Sequence, residues 1–140
     1  MNKDSGAFAR AGMEPIRIFT PREANQTLPL VKRIVSDINQ TGKQIRSLVE
    51  ELGEDGRDDP EANRLIEEIN DLFLELEKLG CSYKDWNFDM GLVDFPAIVD
   101  GEEVLLCWRS DEPSVMFFHG VFDGYPGRKL IPSEYRDDEV

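Results

Sequence analysis

Residues 91–109 read "GLVDFPAIVDGEEVLLCWR", two extended runs separated by Asp100-Gly101. Asp-Gly between alternating apolar residues signals a two-residue type I′ hairpin, because both central positions need a positive φ. That turn sets a register: Val99 opposes Glu102, Ala97 opposes Val104, Phe95 opposes Leu106, Asp94 opposes Cys107 and Val93 opposes Trp108. Side chains alternate across a strand, so Val93, Phe95, Ala97, Val99, Val104, Leu106 and Trp108 share one face. These seven residues are all apolar and predict a core face. The other face carries Leu92, Asp94, Pro96, Ile98, Glu103, Leu105, Cys107 and Arg109, and is expected to be only partly covered. Pro96 lacks a donor, which predicts that the first strand is a sheet edge with that gap facing away from the ladder.

Downstream, "RSDEP" at 109–113 turns the chain and "SVMFFH" at 114–119 returns as a third strand. A turn centred on Asp111 and Glu112 makes Trp108 face Val115, puts His119 on the core face and points Cys107 away from it. A one-residue slip at Pro113 instead brings His119 beside Cys107, with Asp94 already opposite.

Upstream the period changes from two to alternating three and four. "FTPRE" at 19–23 offers a Thr20–Glu23 capping box with Pro21 at the first helical position. Thr27-Leu28-Pro29 predicts a second helix start, since proline suits a first turn or a kink. Val31, Ile34, Ile38, Thr41, Ile45, Leu48 and Leu52 then form a heptad-like seam, which Gly53 ends. Asp59 caps and Pro60 opens the next helix, whose Ala62, Leu65, Ile69, Leu72, Leu76 and Leu79 repeat the seam up to Gly80. The expected architecture is α+β: an antiparallel, coiled-coil-like helical hairpin packed on a small three-stranded antiparallel sheet. Residues 1–15 read as a flexible arm. A single domain follows over 16–132, with the hairpin at 20–80 and the meander and glycine-rich loop at 90–132. Residues 133–140 read as an acidic tail.

Composition narrows the function. A net charge of −13 over 140 residues, with no basic stripe, repels nucleic acid and offers nothing to an anionic membrane surface. No apolar run is long enough to span a bilayer. Two cysteines make no disulfide framework and predict a cytoplasmic protein. Val35, Val49, Ile66 and Phe73 widen the helical stripes beyond a strict seam, so a self-associating, non-catalytic assembly module, most simply a homodimer, is the expected function. An unidentified protein partner is the other occupant this surface admits. No metal or other cofactor is expected.

The alternative is a small-molecule, anion or metal site, open to enzymatic use, on the mixed sheet face under the 120–131 loop. Its candidate cluster is Asp94, Cys107, Arg109, Glu112 and His119, with Asp94, Cys107 and His119 as the donors if a metal binds, since zinc accepts sulfur, nitrogen and oxygen. Asp94 and Arg109 lie diagonally across the hairpin and read as an ion pair, and Asp111 and Glu112 as turn residues. "FDGYPGRK" at 122–129 joins glycines, an aromatic wall and basic residues, which makes Gly124, Gly127 and Arg128 the candidate anion-binding loop. The acidic 53–61 segment fails the EF-hand spacing.

The ordered set "FTPREANQTLPLV", "GLVDFPA", "GEEVLLCWR", Glu-Pro, His119 and "GYPGRKLIP" resembles a bacterial family of uncharacterised proteins, domain of unknown function 2203, over residues 18–132. The family's pattern has Gly before the Glu-Pro pair, Trp before the His, and Gly-Phe-x-Gly-Arg in the last loop. Here those positions hold Asp111, Phe118 and Gly124-Tyr125-Pro126-Gly127-Arg128. The resemblance implies the architecture above and marks Asp94, Cys107, Trp108, Arg109, Glu112, His119, Gly127 and Arg128 as matching positions. It brings no activity, cofactor or substrate.

Overall fold

Thr20 begins the first helix as the local sequence dictates: its hydroxyl accepts the Glu23 N–H at 3.1 Å, and the Glu23 carboxylate accepts the Thr20 N–H at 2.9 Å. The computed structural model describes residues 17–85 and 87–136, so the arm expected over 1–15 lies outside the described residues. Helix α1 runs unbroken over Pro21–Leu52. The restart predicted at Thr27-Pro29 does not occur. Ala24, Leu28, Val31, Ile34, Val35 and Ile38 make one continuous buried stripe through that point. Pro29 sits on the exposed side, where water can take the hydrogen bond its missing N–H leaves open.

A six-residue 3₁₀ turn, Gly53–Asp58, leads to helix α2, Pro60–Leu79. Asp59 caps α2 by accepting the Ala62 N–H at 2.9 Å, and Gly80 ends it at φ 103°, the left-handed conformation that glycine adopts without strain. The two helices pack on each other and on the sheet.

The sheet has five antiparallel strands in sequential order, not three: β1 (Ser82–Tyr83), β2 (Leu92–Val99), β3 (Glu102–Arg109), β4 (Phe117–Gly120) and β5 (Lys129–Leu130). The added strands have two residues each, too short to show any period. Asp100 and Gly101 take φ 55° and 79°, and β2 pairs with β3 in the register that turn demands, from Leu92 opposite Arg109 to Val99 opposite Glu102. The gap at Pro96 does face away from β3, but that side is not open. β1 covers one end of it and Phe19 the other, donating its N–H to the Pro96 carbonyl at 2.7 Å.

Trp108, Phe95, Leu106, Val93 and Ala97 on one sheet face meet the α1 stripe and Leu76 of α2 to form the core. Residues 133–136, read as part of the tail, form a short helix α3 (Ser133–Arg136), and Tyr135 packs on the core while its hydroxyl donates to Asp100 at 2.6 Å. Residues 137–140 lie outside the described residues. Among the described residues no helix is long and apolar enough to cross a membrane.

Candidate functional site

The register between β3 and β4 decides the chemistry. Cys107 faces Phe117, Leu106 faces Phe118 and Leu105 faces His119. This is the slipped alternative. The pairing of Trp108 with Val115, and with it a core-facing His119, is corrected. The cause lies in the turn, which side chains build. Glu112 folds back so that its N–H donates to the Arg109 carbonyl, its carboxylate accepts the Arg109 N–H at 2.8 Å, and its carbonyl accepts the Trp108 indole N–H at 3.0 Å. Val115 is drawn to α1 instead of to β3: its N–H donates to the Asn25 side chain at 2.7 Å and its carbonyl accepts from the same amide.

The slip gathers three buried groups on the face opposite the core. Asp94, Cys107 and His119 are 5%, 1% and 3% exposed, and their donor atoms all lie within 4.8 Å of one another. Among the described residues this is the one set of three or more His, Cys, Asp or Glu side chains placed to share an ion. His119 Nδ1 lies 2.8 Å from the Gly120 carbonyl, which can only accept, so Nδ1 carries a proton. Nε2 is left facing Asp94 Oδ1 at 3.4 Å. The Asp94 carboxylate raises the imidazole pKa, burial opposes it, and the bond to Gly120 adds to the rise. Burial first, then the Asp94 charge, push the Cys107 thiol up to about 12, with Arg128 pulling the other way. At neutral pH this cysteine is a thiol, not a free nucleophile.

A cavity of about 270 Å³ opens over the three groups, walled by Lys84, Leu92, Leu105, Val121, Gly124 and Tyr125. The glycine-rich loop is its roof. Gly120 and Gly127 hold that roof down because a Cβ on either would stand 2.4 Å or 2.8 Å from the Asp123 side chain, which occupies the notch between them.

The other sequence candidates are placed around this centre. Arg109 does not pair with Asp94. It binds Asp111 at 2.6 and 3.0 Å and the Tyr125 hydroxyl, because at the end of β3 its guanidinium points to the turn and the roof. Glu112 is more than a turn residue, since its carboxylate also holds Arg128 in an ion pair with side chains only 11% and 9% exposed. Arg128 lies 4.0 Å from the Phe117 ring centre and 4.8 Å from that of Tyr125, so Glu112 and two aromatic faces balance its charge, while its buried Nε–H has no hydrogen-bond partner among the described residues. Gly124 lines the cavity, whereas the amides of Gly127 and Arg128 are bonded within the 3₁₀ turn Tyr125–Gly127. Lys84 was not singled out in the sequence: it follows a two-residue strand and belongs to no motif.

Residues 17–131 match the family described as uncharacterized conserved protein (DUF2203). The chain belongs to the DUF2203 family. No curated protein and no solved structure matches it. In this DUF2203 chain, Asp94, Cys107 and His119 form the buried centre, and Glu112, Arg128 and Tyr125 fasten the roof.

Proposed function

We propose that this protein binds one divalent transition-metal ion, zinc by preference, through Asp94, Cys107 and His119, and keeps a coordination position open to the cavity. The observation that carries this is the convergence of the three donors, all buried, at the floor of that cavity. A thiolate, an imidazole and a carboxylate make a donor set that favours zinc, and three protein ligands leave the fourth tetrahedral position for water or a ligand. The His119 Nδ1–H bond to Gly120 supports the same reading, because ligating histidines are oriented by such a bond at their other nitrogen. A bound cation takes the place of the proton on the Cys107 thiol and of any proton on His119 Nε2.

Metal analysis of the full chain after incubation with zinc and desalting tests this. The expected result is one zinc per chain, lost in Cys107→Ser and His119→Gln variants that keep the wild-type circular dichroism. A metal-free wild type would contradict it.

A second reading, self-association through the coiled-coil-like helical surfaces, is supported by Val49 on α1 and Ile66 and Leu74 on α2, which stay exposed. Burying them between two copies is the simplest closure. Light scattering is expected to give twice the chain mass for wild type and the chain mass for Ile66→Asp, and a wild-type monomer throughout the micromolar range would end this reading. Cys81 and Cys107, both unpaired, support a reducing compartment, and we place the protein in the cytoplasm.

A further inference from the structure

We infer that the ligand of this cavity is a small monocarboxylate with a short aliphatic body, its oxygen on the open metal position and its charge met by Lys84. The inference rests on the metal reading and adds to it the class of molecule bound. Charge supplies the first argument. A divalent ion held by the Asp94 carboxylate, the Cys107 thiolate and neutral His119 is a centre of zero net charge, which admits one further anion provided a cation faces it. Around the cavity, Arg128 is bound to Glu112 and Arg109 to Asp111, so both guanidinium charges are already balanced. Lys84 is exposed, lines the cavity and has no ion pair to a described residue. One ammonium balances a monoanion and leaves a dianion in excess. Asp123, the further carboxylate near His119, sits in the glycine notch and is not part of the cavity wall.

Shape supplies the second. The rest of the wall is Leu92, Leu105, Val121 and Gly124 with the Tyr125 ring, whose hydroxyl oxygen accepts from Arg109. The Leu92, Leu105 and Val121 side chains offer an aliphatic group contact without asking for hydrogen bonds, and about 270 Å³ lies at the small end of ligand cavities. A branched or short unbranched acid of a few carbons fits these terms.

The test uses the full chain loaded with cobalt(II), whose visible absorption reports both occupancy and a change of ligand at the open position. Isobutyrate is titrated in, with isobutyramide as the neutral isostere and inorganic phosphate as the anion without an apolar body. The expected result is a saturable band shift with isobutyrate, none with the amide at the same concentrations, and weaker binding of phosphate. At equal cobalt occupancy, Lys84→Gln is expected to weaken isobutyrate by about fivefold, as the loss of a partly exposed ion pair allows. A loaded cobalt site whose spectrum ignores isobutyrate, answers the amide equally, prefers phosphate, or is indifferent to Lys84→Gln would overturn the carboxylate inference and leave the metal site standing. Failure to take up cobalt at all would overturn both.

Discussion

Trp108 and Cys107 are neighbours on β3, each 1% exposed, and they point to opposite faces of one sheet. Burial of consecutive strand residues means that both faces are covered at this point. The covers differ. Behind Trp108 lies the α1 stripe, with Ile38, Val35 and Val31 in an apolar core whose edge meets a surface groove lined by Lys32, Ser36 and Asn39. In front of Cys107 lies a loop fastened by Glu112, Arg128 and Tyr125, with a cavity left beneath it. Apolar burial is non-directional and fills its space, so the Trp108 face is built for stability. The Cys107 face keeps a thiol, a carboxylate and an imidazole out of water, which costs free energy unless they are paired or hold an ion. A small protein that retains such a cluster gains little stability from it, and the difference between the two faces is the physical reason for placing function on the second.

That contrast can be broken from either side. Trp108→Ala should destabilise most, on the order of 3–5 kcal/mol in denaturant unfolding followed by circular dichroism, through lost transfer energy and a residual cavity. Next comes Glu112→Ala, which leaves the Arg128 guanidinium buried without its carboxylate and should cost about 3 kcal/mol. A loss near that of an ordinary surface change would mean that the clasp does not hold the roof. In the metal-free protein Cys107→Ser should cost roughly 1 kcal/mol, since the hydroxyl keeps the shape and can bond Asp94. A loss comparable to that of Trp108→Ala would make the two faces alike and the cysteine simply core.

The smallest expected effect is on pH. His119 has its pKa raised above 6.5 in the folded chain, so its contribution to metal-free stability is full below the unfolded value and is lost as pH rises through the folded one. Wild type should therefore lose stability relative to His119→Gln as pH rises past 6.5 and through the raised folded-state value, with urea midpoints as the measure. Zinc affinity should move the other way and strengthen with pH, because the thiol proton, and the imidazolium proton where present, must leave.

The two faces were also unequally legible in the sequence. Asp100-Gly101 is a turn that two residues specify by themselves, so its register, and the core parity of Trp108, could be read directly. The turn after Arg109 is specified by the Glu112 carboxylate, the Trp108 indole and an Asn25 side chain some ninety residues away in the chain. No local pattern encodes that. A turn centred on Asp111 and Glu112 puts His119 in the core, and only the slipped alternative forms the site. The helical seams and the caps at Thr20 and Asp59 are plain because period and capping chemistry are local, the false start at Thr27-Pro29 apart, whereas β1 and β5, with two residues each, have no period to show. Lys84, just after β1, carries no sequence signal for the same reason, and Arg109 pairs with Asp111 rather than Asp94 because diagonal proximity on a sheet does not decide among several reachable carboxylates.

X-ray absorption at the zinc edge, on the full chain loaded with one equivalent, reads the donor atoms themselves. One sulfur at about 2.3 Å together with nitrogen and oxygen scatterers at about 2.0–2.2 Å is expected, with loss of the sulfur shell in Cys107→Ser. A spectrum of nitrogen and oxygen alone in the wild type would contradict it, because Cys107 would then be no ligand and the three-donor centre would not exist.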